Sequence, residues 1–190
     1  MKTKVLLSLV VLLSLVACQK AAQIIPNINP GTPTNSTPPP IVVTAKPDTM
    51  PEKAIFNLRL GKDSIQTDET AFVFRSTAKT SYNVNEDAAY FMGSGQVNLA
   101  SISSDGTDLA INNLPYTPGM SIGLDFNTKT DGSYFLMVSY ENKVPADIHI
   151  WLKDTYLKDS VDLHTKSYIF NVSRADANTF GKNRFKLVLR

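Results

Sequence analysis

The sequence predicts an all-β domain, an antiparallel β-sandwich over residues 53–190, reached through a proline-rich tether. Three observations carry this reading. Apolar and polar residues alternate with period two in successive runs from position 54 onward. Turn-forming pairs separate many of the runs: Asp105-Gly106, Pro118-Gly119, Asp131-Gly132, Asn142-Lys143 and Gly181-Lys182. No apolar stripe of helical period has useful length; the best candidate, 175–180, amounts to one turn at most.

The first strand, 54–60, puts Phe56, Leu58 and Leu60 on one face and Asn57 and Arg59 on the other. Runs 71–75, 96–101, 108–114 and 120–126 read the same way. In 133–141 both faces of Tyr134 to Tyr140 are largely apolar, which predicts an interior strand. In 146–153, Ile148, Ile150 and Leu152 are expected to face the core, leaving Asp147, His149 and Trp151 on the outer face. Run 167–172 follows. The last, 184–189, turns Phe185, Leu187 and Leu189 inward and Arg184, Lys186, Val188 and Arg190 outward, so the domain is expected to need these final residues. About eight or nine strands at such spacing fit an Ig-like or jelly-roll-like sandwich.

Ahead of this domain the texture changes. Eight of the eleven prolines lie between Pro26 and Pro51, with Asn, Thr and Ser filling much of the space. Proline fixes φ and removes a backbone donor, so residues 18–52 predict a disordered, solvated linker of up to about 3.1 Å per residue. Ile41-Val42-Val43 is the one run in it with strand character.

The first 17 residues read as an address. Lys2 and Lys4 precede an apolar run from Val5 to Val16, interrupted only by Ser8 and Ser14. That run is shorter than the roughly 20 residues a membrane span needs, and the layout is that of a secretory signal peptide. Leu15-Val16-Ala17-Cys18 resembles the lipobox of bacterial lipoproteins: a branched apolar residue, a small residue, then the chain's single cysteine. The resemblance implies recognition of Leu15, Val16 and Ala17 by signal peptidase II. It further implies a diacylglycerol on the Cys18 thiol, cleavage before Cys18 and acylation of the new terminus. Two or three acyl chains make a permanent membrane anchor. With one cysteine the domain forms no internal disulfide and depends on its hydrophobic core.

Within the domain, Asn85-Glu86-Asp87-Ala88-Ala89-Tyr90 running on to Gly93-Ser94-Gly95, then Leu109-Ala110-Ile111-Asn112, resembles β-sandwich modules of exported and surface proteins of Bacteroidota. Ile150-Trp151-Leu152-Lys153-Asp154, Tyr168-Ile169-Phe170-Asn171-Val172 and the closing Asn183 to Leu189 are similar to the same modules, some of which are handled by the type IX secretion system. The resemblance implies fold and phylum, and supplies no catalytic residues.

Candidate chemistry is sparse. Asp147, His149 and the remote His164 invite a triad reading, but no G-x-S-x-G elbow marks a serine, and no enzymatic activity is expected. Asp105 and Asp108, in Ser-Asp-Gly-Thr-Asp, offer oxygens suited to calcium without the spacing or the closing carboxylate of an EF-hand loop; residues 127–131 are weaker still. No metal or other cofactor is expected. Trp151, the only tryptophan, shares a face with His149 and is followed by Tyr156, which makes an aromatic platform for a sugar ring the best ligand-binding candidate; the other reading of Trp151 is packing over the core of the opposite sheet, which sandwich geometry makes common. Asn171-Val172-Ser173 matches a glycosylation sequon, which carries little meaning in a bacterial lipoprotein.

Without Lys2 and Lys4 the chain has 17 basic and 17 acidic residues, so no basic field exists to draw nucleic acid. The expected function is a cell-envelope lipoprotein with a non-enzymatic structural or interaction module, membrane-bound through its lipid, with an envelope protein or a glycan as partner. The alternative is a glycan-binding lipoprotein that assists polysaccharide capture or uptake. Gln19 in place of Asp favours the outer membrane, and the lack of acidic residues in Gln19-Lys20-Ala21-Ala22 favours a periplasm-facing domain.

Overall fold

The computed structural model describes residues 49–190. Cys18, the Leu15-Val16-Ala17 recognition residues and the linker as far as residue 48 lie outside the described residues. Among those described, no helix is long and apolar enough to cross a membrane.

The domain is all-β. β1 runs Ala54–Gly61, β2 Thr67–Phe74, β3 Ala88–Ala89, β4 Val97–Ile102, β5 Asp108–Leu114 and β6 Ser121–Thr128. β7 covers Gly132–Asn142, β8 Ile150–Asp154, β9 Asp159–Asp162, β10 Tyr168–Val172 and β11 Phe185–Leu189. The only helical piece among the described residues is a 3-10 turn at Ala177–Thr179, where a single turn was the most that the sequence allowed. Each of the five turn signals holds a residue in the left-handed region: Gly106, Gly119, Gly132, Lys143 and Gly181.

Two expectations are corrected. Eleven strands replace eight or nine, because β3 is only two alanines and β9 is short and largely polar, so neither shows alternation. The sheet is mixed and not purely antiparallel: β2 and β5 pair in parallel, Ala71 opposite Ile111 through Phe74 opposite Leu114. Period-two patterning fixes which face a residue takes and says nothing about a neighbour's direction.

The strands form one hydrogen-bonded sheet in the order β10-β7-β1-β2-β5-β4-β6-β11-β8-β9, with β3 paired to β5, and the sheet curls until it is nearly barrel-shaped. Side chains bring β10, at one end of that order, against β11 and β6. The Phe170 ring of β10 packs edge-on to Phe185 of β11 and Phe126 of β6, centroids 4.8 and 5.5 Å apart. Phe56, Phe72 and Phe74 stack in the opposite half of the core. Fully burying one such ring contributes about 1.5–3 kcal/mol, which is why a domain without disulfides can stand on this cluster.

The alternation read from sequence holds where it was clearest. Phe56, Leu58 and Leu60 are buried, as are Ile148, Ile150 and Leu152, and Phe185, Leu187 and Leu189. β7 is an interior strand, flanked by β1 and β10. β11 lies between β6 and β8, which explains why its residues are so fully enclosed. Val188, expected outside, is buried too.

β5 changes partners along its length, pairing with β4 at Leu109 and with β2 from Ile111. A strand that leaves one neighbour for another strands backbone carbonyls inside the fold. Thr70 answers this with a hydroxyl 3.0 Å from the Leu109 carbonyl, beside buried Ser101 and Asn112. Ordered contacts begin before residue 53: Met50 packs against the core, and Glu52 accepts the Ser76 amide at 2.6 Å.

Candidate functional site

β8 and the residue before it, His149, carry the outward face expected from sequence. The inward residues of β8 are locked in the core, so alternation turns His149 and Trp151 outward. Reciprocal backbone bonds join His149 and Arg190, at 2.7 and 3.1 Å. The Arg190 guanidinium consequently sits 4.9 Å from the Trp151 ring centroid, in cation–π range. Asp162, opposite Trp151 on β9, lies 2.6 Å from His149 Nδ1. Trp151, His149, Asp162 and Arg190 thus form a compact face with an aromatic ring, a carboxylate, an imidazole and a fixed cation.

Tyr156 is not part of it. The chain turns after β8, where the Tyr156 phenol donates to Asp176 at 3.1 Å and its ring lies 5.3 Å from the Arg184 guanidinium. The three-residue platform read from sequence therefore resolves into two places, Trp151 with His149 and Tyr156 elsewhere.

The triad reading is not what the fold assembles. His149 pairs with Asp162 and not Asp147, while His164 Nε2 approaches Glu141 at 3.0 Å. Among the described residues, no serine hydroxyl is hydrogen-bonded to either imidazole.

The candidate calcium loop closes on itself. Asp105 accepts hydrogen bonds from the Ser103 hydroxyl and the Tyr82 amide, and the Ser103 bond, the larger effect, holds its carboxyl below the ordinary range. Asp108 instead takes Lys182 Nζ at 2.8 Å on both oxygens. Asn127 and Asp131 both receive Arg174, through its guanidinium and its backbone amide respectively. Among the described residues, no group of three or more His, Cys, Asp or Glu side chains is placed to hold a metal ion.

Two features escaped the sequence reading. Arg184, expected outside, is buried against Asp154, Nη2 to Oδ2 2.9 Å, and also donates to the backbone carbonyls of Asn171 and Thr179. A cavity of about 650 Å³ opens beside Ile102, Met120, Ile122, Lys182 and Lys186, and none of Asp105, Asp108, Asp147, His149, Trp151, Tyr156 and His164 lines it.

Compared with known proteins, the chain matches no family model, no curated protein and no solved structure. Residues of this chain alone carry the argument about function.

Proposed function

We propose that this chain is a lipoprotein of the bacterial cell envelope, anchored by acylated Cys18, whose β domain is a non-enzymatic structural or interaction module. Leu15-Val16-Ala17-Cys18 at the end of a short basic-then-apolar leader carries this reading. The fold is compatible with it. The interior is taken up by aromatic and aliphatic packing and by polar groups paired with one another, such as Arg184 with Asp154, so groups available for recognition lie on the outside of the curled sheet. In this reading that sheet works as a two-layer sandwich of the kind found in exported Bacteroidota proteins, with β10, β7, β1 and β2 facing β4, β6, β11 and β8. The linker sets the domain off an outer-membrane leaflet on the periplasmic side. Replacing Cys18 by Ala tests the anchor: the protein is expected to move from the membrane to the soluble fraction, and retention in the membrane contradicts the reading.

A second reading, capture of a glycan for uptake, is favoured by the Trp151 face. An indole flanked by a guanidinium, an imidazole and a carboxylate offers both stacking and hydrogen bonding to a sugar ring. A glycan array probed with the native chain and with Trp151→Ala decides between the two. Binding that the substitution abolishes establishes the second reading; no binding to any glycan leaves the interaction module.

A further inference from the structure

The cavity of about 650 Å³ lies on the outer surface of the sheet, where the end of β4 meets the start of β6. Ile122 and Leu124 point into the core, as do Phe185 and Leu187, so Gly123 and Lys186 between them face outward. Register puts Ile102, Gly123 and Lys186 in one row across β4, β6 and β11. A side chain at position 123 would begin 3.2 Å from Ile102 Cδ1, so glycine leaves the middle of that row as a notch. Ile102 and Met120 supply aliphatic surface beside it.

The walls are held by the backbone. The Ser104 amide donates to the Thr80 carbonyl at 2.8 Å, and its hydroxyl to Thr80 Oγ1 at 3.1 Å. The Gly119 amide donates to the Leu189 carbonyl at 2.7 Å, which fixes the connection that carries Thr117, Met120 and Ser121. Lys182, Asn183 and Lys186 form the remaining side.

Charge around this space is one-sided. Among the described residues that line it, none is Asp or Glu and two are Lys. Lys182 is already neutralised, its ammonium 2.8 Å from both oxygens of Asp108. Lys186 has no side-chain partner among the described residues, and neither has Lys153, which stands directly opposite it on β8. Like charges in a cross-strand pair repel. Their row runs Ser160, Lys153, Lys186, Gly123, Ile102, with no carboxylate to separate them. An anion at the mouth of the cavity offsets that repulsion. Donors to receive it stand ready in the Lys186 ammonium, the Ser121 hydroxyl and the Asn183 side-chain amide, none of them spent on another described residue.

The rest of the lining narrows the class of anion. With Lys182 cancelled by Asp108, one ammonium is left in the lining, which balances one negative charge. The floor is aliphatic, and no aromatic ring lines the cavity to stack on a sugar. Its volume falls within the roughly 300–1,000 Å³ of small-molecule sites.

We propose that this cavity binds a small organic carboxylate, one carboxylate group on a compact aliphatic frame. The carboxylate accepts from Lys186, Ser121 and Asn183, and the frame rests on Ile102, Met120 and the Gly123 notch. Lys153 contributes through its field alone. The site uses neither the lipid anchor nor the Trp151 face, and it goes beyond both readings of function.

Nuclear magnetic resonance titration of the full chain in a non-ionic detergent tests it, with cyclohexanecarboxylate as probe. The controls are cyclohexanecarboxamide, which is neutral, cyclohexylammonium, which is cationic, and acetate, which lacks the frame. Cyclohexanecarboxylate is expected to shift the signals of Ile102, Ser121, Gly123 and Lys186, and each control binds at least tenfold more weakly. Lys186→Gln lowers carboxylate affinity tenfold or more and Lys153→Gln several-fold, both with the remaining spectrum unchanged because both side chains are exposed. Gly123→Ala, whose methyl occupies the notch, lowers it as well. A carboxylate that leaves those four signals unmoved, a control that binds as tightly as the probe, or a Lys186→Gln chain that binds equally well overturns the proposal.

Discussion

Arg184 and Asp154 face each other inside the fold, Nη2 to Oδ2 2.9 Å, with both side chains 1 % exposed. The pair is completed on every side. Asp154 accepts the Tyr156 and Leu157 amides at 2.9 and 3.1 Å and the Tyr168 hydroxyl at 3.1 Å. Arg184 adds two backbone carbonyls and lies 4.7 and 4.8 Å from the Phe170 and Phe185 ring centroids. Both partners are desolvated, so the net gain from the pair is modest, but loss of one leaves an uncompensated charge. Its effect is specific to place: it ties β8, β10 and the lead-in to β11 together where hydrogen bonding between strands stops.

Arg184→Met is therefore expected to cost about 3–5 kcal/mol, measured by urea unfolding. Arg184→Lys supplies a charge without the planar fork and falls between that variant and the native chain. A cost within experimental error for Arg184→Met contradicts this account of the pair.

Burial, then Asp154, drives the Tyr168 phenol well above its usual range, and burial, then Asp68, does the same for Tyr90. A folded-state value raised above the unfolded one stabilises the fold below the ordinary tyrosine range, and that contribution is lost as pH rises through and beyond it. Alkaline titration followed by phenolate absorbance is expected to show these two tyrosines ionising only as the domain unfolds. Ionisation of all tyrosines in one step with the fold intact rules this out.

Phe185 is fully enclosed, stacked on Phe126 with centroids 5.0 Å apart and edge-on to Tyr168 and Phe170. Phe185→Ala is expected to destabilise by about 3–5 kcal/mol and Phe185→Leu by much less, again by urea unfolding.

Asp125 titrates in the opposite sense to a salt-bridged carboxylate. Burial raises its folded-state range, so the fold binds the proton more readily than the unfolded chain, and stability falls as pH rises through that range. Asp125→Asn is expected to raise the melting temperature at neutral pH by a small margin that vanishes in acid. A lower melting temperature at neutral pH contradicts the assignment of burial as the dominant effect.

Much of the fold was legible in the residues, for physical reasons that also mark where legibility ended. In β1 and β11 every second residue is a large apolar group, and a sheet with one buried face demands that pattern. β9 reads Asp-Ser-Val-Asp and β3 is two alanines; their place is set by neighbours, with Trp151 opposite Asp162 and Ala88 opposite Ile111, and no pattern of their own announces them. The parallel pairing of β2 with β5 is likewise a property of the path of the chain. Carrying the alternation of β11 back one residue turns Arg184 outward, but the strand begins at Phe185, and period two does not apply before it. A signal was present: Asp154 continues the inward set of Ile150 and Leu152, and a carboxylate on that parity requires a buried cation. The Trp151 and His149 face followed from alternation, whereas Tyr156 lies past a turn that alternation cannot cross. Ile102, Gly123 and Lys186 come from three different strands, and only the fold brings them into one row.

Acylation at Cys18 is the claim on which the placement of the whole protein rests, and intact-mass and N-terminal peptide mass spectrometry of the native, membrane-extracted protein measures it directly. The expected result is a mature chain beginning at Cys18, with a diacylglycerol on its thiol and an acyl group on its amine. A chain that begins elsewhere, or that carries an unmodified Cys18, contradicts the account.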